Sequence, residues 1–200
     1  MNHDLTPLLE FIAQPESGGD FNIVWGGIRQ HHRPKQLTTM TIGGVLSWQD
    51  SIDHLYRSEA AGKWQILEDT LRGLYRAAGM RLDDLYDEKG QTQLATALLY
   101  RRGLSEYLDG TIGTDKFAQS LSKEWASLPC ITFDRQGREA VGQSYYAGDG
   151  LNKAHVSIAD FRAAVRSIRE PVVSISDNSD LRAILGQIHA LTAPYAAKEG

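Results

Sequence analysis

The sequence predicts an α+β fold, mainly helical, with a small β or loop region after the first helix. Two observations carry this. Apolar residues recur at three- and four-residue spacing through most of the chain, the mark of helices with one buried face. Between Asp20 and Asp53 that spacing lapses, and Gly26-Gly27, Pro34 and Gly43-Gly44 punctuate β-branched and aromatic runs. No internal repeat or low-complexity tract interrupts the pattern.

The elements follow in chain order. Thr6-Pro7 is a helix start, with Thr6 as cap and Pro7 in the first turn. Leu5, Leu8, Leu9 and Ile12 supply the apolar face, and Pro15-Glu16-Ser17-Gly18-Gly19 ends the helix. Glu16 therefore falls at or just past a helix C-terminus. Residues 21–25 and 37–42 suit short strands or extended loop, and a short helix is expected around residues 44–48. Leu67, Leu71, Leu74, Tyr75 and Ala78 form the next helical face, ending near Gly79. Leu94, Ala97, Leu98 and Tyr100 form another, ending at Gly103. Phe117, Leu121, Trp125 and Leu128 form a third, with Thr114 as cap and Pro129 as stop. Residues 129–152 read as a long loop, a kind of segment that is often functional. Ser157 with Asp160 resembles a capping box ahead of Ile158, Phe161, Val165 and Ile168. Residues 1–169 are expected to form the body. Residues 170–200 are expected to form a tail, with Asp180 capping a short amphipathic helix of Leu181, Ile184, Leu185, Ile188 and Leu191.

Composition narrows the function. With 42% hydrophobic and 23% charged residues, 200 residues can bury a core without staples. A net charge of −4 argues against nucleic-acid binding through a basic patch, and any attraction to an anionic wall must be local. The single cysteine, Cys130, cannot form an intramolecular disulfide and reads as a packed thiol. Residues 1–9 lack a basic region followed by an apolar run, so no signal peptide is expected, and no stretch approaches a membrane span. His31-His32 lacks partners at ligand spacing, and no metal or other cofactor is expected.

Glu16 is the sharpest chemical candidate. A glycosidase needs a carboxylic acid still protonated at working pH. The negative end of a helix dipole and partial burial both favour the protonated form. A surface carboxylate at a helix end would look the same, so the other segments matter. Ser58-Glu59-Ala60-Ala61-Gly62-Lys63-Trp64-Gln65-Ile66 offers small residues for close approach and an amide with both donor and acceptor. Trp25, Trp48, Trp64, Tyr145 and Tyr146 lie in or beside loops, where such rings either stack on sugars or pack in a core. Trp125, on a helical apolar face, reads as core.

The combination of Glu16-Ser17-Gly18-Gly19, then Ala61-Gly62-Lys63-Trp64-Gln65-Ile66, then Trp125-Ala126-Ser127-Leu128-Pro129 resembles the phage lambda type of lysozyme and its prophage relatives. The resemblance covers roughly residues 5–169. It implies a lysozyme-like fold in which Glu16 is the catalytic acid/base. The Gly62-to-Gln65 segment would line the glycan groove, and the segment Trp125 to Pro129 would be structural. Ser17, Gly62, Trp64, Gln65, Tyr145, Tyr146 and Trp48 are the expected substrate-binding residues. The implied activity is peptidoglycan cleavage between N-acetylmuramic acid and N-acetylglucosamine by lytic transglycosylation, giving 1,6-anhydro ends. Two alternatives stay open: a true hydrolase with Asp20, Asp50 or Asp53 as second carboxylate, and an idle wall-binding or particle protein. Each of those aspartates also suits a turn or cap. The implied setting is a phage or prophage. The protein would be made in the bacterial cytoplasm and reach the wall through a holin pore or with a particle.

Overall fold

In the computed structural model, which describes residues 3–150 and 152–169, apolar spacing becomes seven α-helices around one core. They are α1 (Thr6–Ser17), α2 (Ile42–Ile52), α3 (Glu68–Leu74), α4 (Glu88–Arg101), α5 (Leu104–Leu108), α6 (Thr114–Leu121) and α7 (Ile158–Ser167). The chain divides into two units after Glu170. The expected tail, residues 170–200 with its amphipathic helix, lies outside the described residues. Among the described residues no helix is long and apolar enough to cross a membrane.

α1 buries Leu8, Leu9, Ile12 and Ala13 on one face. Thr6 is its first residue rather than its cap, and the Asp4 carboxylate accepts from the Thr6 N–H at 2.9 Å. The helix runs on through Pro15, which has no N–H to give the Phe11 carbonyl, and stops at Gly18 in the left-handed region (φ 65°). α1 packs against α7 with Phe11 stacked on Phe161, ring centroids 6.1 Å apart. Behind them α5 and α6 join the same core, where Tyr107 stacks on Phe117 and donates its hydroxyl to the Val165 carbonyl at 3.1 Å.

Most helices form where the apolar spacing places them, but their ends move, and α3 stops at Leu74, short of the expected end near Gly79. α2 extends well beyond residues 44–48, because Thr41 caps it by accepting from the Gly44 N–H at 3.1 Å. Asp87 caps α4 in the same way through Gly90. Ser157 and Asp160 form the expected cap of α7. α6 ends at Leu121, earlier than the spacing of Trp125 and Leu128 implies, and α5 arises where no helix is expected.

The protein is mainly helical, and among the described residues β structure is confined to isolated bridges. Residues 37–39 form a 3-10 turn instead of a strand. Side chains take the backbone groups a ladder would use: the Thr38 N–H donates to Asn22 Oδ1 at 3.0 Å, and Thr39 Oγ1 donates to the Gln36 carbonyl at 2.9 Å. Val24, Ala61 and Ile66 are joined by antiparallel bridges into the smallest of sheets. The stretch after Pro129, expected to be an unstructured loop, folds back on itself as an irregular hairpin. Cys130 N–H donates to the Gln143 carbonyl at 2.7 Å, and Ala140 N–H to the Thr132 carbonyl at 2.9 Å.

Candidate active site

The last turn of α1 and the 61–66 turn are built together. Ala61 and Ile66 exchange two backbone hydrogen bonds (3.2 and 3.0 Å), and Gly62 N–H reaches the Ile23 carbonyl at 2.8 Å. Ser17 Oγ lies 2.7 Å from the Lys63 carbonyl, tying the turn to the end of α1. Beneath the turn sits the fully buried Gln91, whose Oε1 accepts from the Lys63 N–H at 2.9 Å. Its amide nitrogen donates to the Phe21 and Tyr86 carbonyls at 2.9 and 3.0 Å. Gly62 is required here twice over: φ is 76°, and a Cβ would stand 2.2 Å from Gln91 Oε1. Gln65 is also held at positive φ (48°), strain that this bracing sustains.

Tryptophans lock the floor. Trp64 Nε1 donates to the Leu9 carbonyl of α1 at 3.1 Å, and Trp125 Nε1 donates to the Trp64 carbonyl at 3.2 Å. Three separated segments are thereby fixed around a cleft of about 380 Å³. Glu16, Trp25, Gln65, Glu124 and Tyr146 line it, with Arg57 and Asn152 at its edges. Larger concavities exist, about 920 Å³ along α3 and α4 and about 740 Å³ beside α6. Glu16 lines neither, so size does not mark the chemistry.

Burial pushes the Glu16 carboxyl above the ordinary carboxylate range. Hydrogen bonds from Ser127 oppose that push, with a smaller pull from His155. The Ser127 hydroxyl donates to Glu16 Oε1 at 2.5 Å and its N–H approaches at 3.4 Å. Ser127 is positioned in turn by the His155 N–H, which donates to its carbonyl at 2.8 Å. The result is a half-buried carboxyl, oriented from one side and open to a cleft on the other. Such a group can hold a proton and deliver it to an oxygen in the cleft.

Of the expected binding residues, Gln65 and Tyr146 line the cleft, and Tyr146 is anchored by its hydroxyl on the Lys123 carbonyl at 2.8 Å. Ser17 and Gly62 brace it from behind. Trp64 is buried (2% exposed), because its indole N–H is spent on Leu9, so its ring is core rather than groove. Trp48 donates to the His32 carbonyl at 2.8 Å, away from the cleft lining. Tyr145 packs edge-on against Tyr146 and does not line the cleft either. Trp125 is core, as expected, yet it also forms part of the cleft wall.

The three aspartates do not converge on Glu16. Asp20 accepts from the Asn22 N–H in its own turn at 2.7 Å. Asp50 is exposed on α2, and Asp53 pairs with His54 at 3.3 Å. None lines the cleft. The second cleft carboxylate is Glu124, with a side chain 7% exposed. Arg101 Nη2 and Arg102 Nε each donate to one of its oxygens at 2.6 Å. Sequence reasoning missed both Glu124 and the contact of Ser127 with Glu16. The signal for Ser127 was one polar residue set between Trp125-Ala126 and Leu128-Pro129. Cys130 is buried, and burial raises its thiol, as suits a packed side chain. Among the described residues no group of three or more His, Cys, Asp or Glu is placed to hold a metal ion.

The chain matches no protein-family model, no curated protein and no solved structure.

Proposed function

We propose that this protein cleaves the glycan strands of peptidoglycan between N-acetylmuramic acid and N-acetylglucosamine. In this reading it is a lytic transglycosylase with Glu16 as its single acid/base. The carboxyl of Glu16 gives its proton to the glycosidic oxygen as the bond from the muramic C1 to that oxygen breaks. The 6-hydroxyl of the same muramic residue then bonds to C1 and returns its proton to Glu16. A 1,6-anhydro ring closes, no water is consumed, and Glu16 ends as it began. The nucleophile is tethered to the reacting sugar, which makes a second carboxylate unnecessary.

The observation that carries this reading is the state of the two cleft carboxyl groups. Glu16 is held towards its protonated form, and among the described residues only Ser127 hydrogen-bonds to its carboxyl. Glu124 has both oxygens engaged by guanidinium donors. An inverting hydrolase needs a carboxylate free to take a proton from water, ~6.5–9.5 Å from the acid. The helical body with a cleft between the 61–66 turn and the segment Trp125 to Ser127 supports the lysozyme-like reading, and with it a phage or prophage endolysin or particle component. Mass spectrometry of muropeptides released from purified wall tests the reaction. Products lighter by one water and lacking a reducing end are expected. Reducing ends would mean hydrolysis and would make Glu124 the base to examine.

A further inference from the structure

The loop between α1 and α2 carries a charge pattern unlike the rest of the chain. Residues 21–49 contain Arg29, Arg33 and Lys35 and no Asp or Glu, within a protein of net charge −4. Arg29 and Lys35 are exposed, and among the described residues neither is in an ion pair. Arg33 is a structural pin: its Nε donates to the Ile28 carbonyl at 2.7 Å and its Nη2 to the Gly26 carbonyl at 3.0 Å.

The loop is fastened to the rim of the cleft. The Tyr56 hydroxyl accepts from the Arg29 N–H at 3.3 Å and lies 2.7 Å from His32 Nδ1. Its neighbour Arg57 is exposed and lines the cleft, as does Trp25 at the start of the loop. Of the nearest acids in sequence, Asp20 closes its own turn and Asp53 pairs with His54, while Asp50 lies exposed on α2. Arg57 on the cleft lining and Arg29, held against its neighbour Tyr56, therefore form a positive rim, and Lys35 adds a third exposed cation to the pinned loop. Such a field acts over about 8 Å at physiological ionic strength and raises the local concentration of anions.

We infer that this rim captures the carboxylates of the peptide stems borne by the glycan strand in the cleft. The inference rests on the proposed glycan cleavage. In a peptide-bearing strand the lactyl carboxyl of muramic acid is spent in the amide to the stem, so the sugar backbone itself offers no anion. The stem carboxylates are attached to the muramic residue that must sit at Glu16, so they are delivered to the rim whenever the strand is bound. Phosphate-bearing wall polymers carry a similar charge but are not fixed to the sugar at the scissile bond.

The test uses the full chain and a double variant, R29Q/K35Q, which alters no residue lining the cleft. Initial rates are measured on peptide-bearing glycan strands and on the same strands with their stem carboxylates capped as amides, at about 0.05 M and about 0.5 M salt. Co-sedimentation of Glu16→Gln versions with the same two substrates gives binding apart from cleavage. On peptide-bearing strands at low salt the double variant is expected to lose about tenfold in kcat/KM, through KM. On amide-capped strands, or at high salt, it should stay within about twofold of the parent. An equal loss on both substrates would mean a structural defect and overturn the inference. No loss on peptide-bearing strands overturns it too, as does a loss that vanishes when phosphate polymers alone are removed. If the parent cuts neither substrate, the cleavage reading fails, and co-sedimentation then judges the rim alone by whether the double variant loses binding only where the stem carboxylates are free.

Discussion

Replacing Gly62 by alanine tests whether the cleft is held from beneath as described. The new Cβ would lie 2.2 Å from Gln91 Oε1 and 2.8 Å from its Cδ, and the backbone at φ 76° disfavours any Cβ. The backbone contribution is about 1–2 kcal/mol. Gln91 cannot retreat freely, because it is fully buried and bonded to Lys63, Phe21 and Tyr86. Shifting it leaves one or two of those groups unsatisfied, at about 1–3 kcal/mol each. The sum is roughly 2–8 kcal/mol, a fall in Tm of at least about 4 °C, and on the order of 10–20 °C at mid-range, for a chain of this size. Thermal unfolding followed by circular dichroism measures it. Gly73→Ala is the control: it sits in α3 with nothing within 4 Å of its Cβ and should gain ~0.5–1 kcal/mol. A Gly62→Ala protein melting close to the parent would show that the turn is not braced by Gln91.

Further outcomes follow from the same contacts. Activity should fall as pH rises through the elevated pKa of Glu16, because the proton donor is then lost; Ser127→Ala removes a hydrogen bond that favours the charged form, so in a pH–rate profile the falling limb should move to higher pH. The folded state holds that proton more tightly than the unfolded chain, so Glu16 costs stability as pH rises from the ordinary carboxylate range through the folded pKa; in melts at neutral pH, Glu16→Gln should be the more stable protein. Tyr146→Ala, which strips a ring from the cleft, should raise KM about five- to tenfold, whereas Tyr145→Ala should leave steady-state kinetics within about twofold. Arg102→Ala leaves Glu124 short of a partner in a nearly buried site and should cost about 2–3 kcal/mol by denaturant titration; Arg101→Ala, at the more exposed arginine, should cost less than about 1 kcal/mol.

What could be read from the sequence was local. The buried faces of α1, α4 and α7 follow from side chains three and four residues apart, and Ser157 with Asp160 marks its own cap. Glu16 stood out because Gly18 and Gly19 follow it, and the Gly18 cap is what puts it in a final helical turn. Contacts distant in sequence were not legible. Ser127 meets Glu16 across 111 positions, and nothing near either residue announces the other. Trp64 looks like a groove residue in a glycine-rich turn, but a carbonyl of α1, 55 positions away, takes its indole N–H inward. Asp20 closes its own turn, Asp50 is exposed on α2 and Asp53 lies against His54, roles that local chemistry allows for as readily as catalysis. The hairpin after Pro129 was opaque for a different reason: its pairing rests on backbone bonds between residues such as Cys130 and Gln143, with no alternation of apolar and polar residues to show it.

The central claim is that one carboxyl, Glu16, carries the reaction. The most direct measurement is release of soluble muropeptides from purified wall by the parent and by Glu16→Gln, both confirmed folded by their melting curves. Gln keeps an oxygen for the Ser127 hydroxyl but cannot donate or take up the proton. The account predicts release by the parent and a loss of at least about a thousandfold in the variant, the upper range for removing an acid/base group with its geometry intact. Equal release by both, or none by the parent, would contradict it.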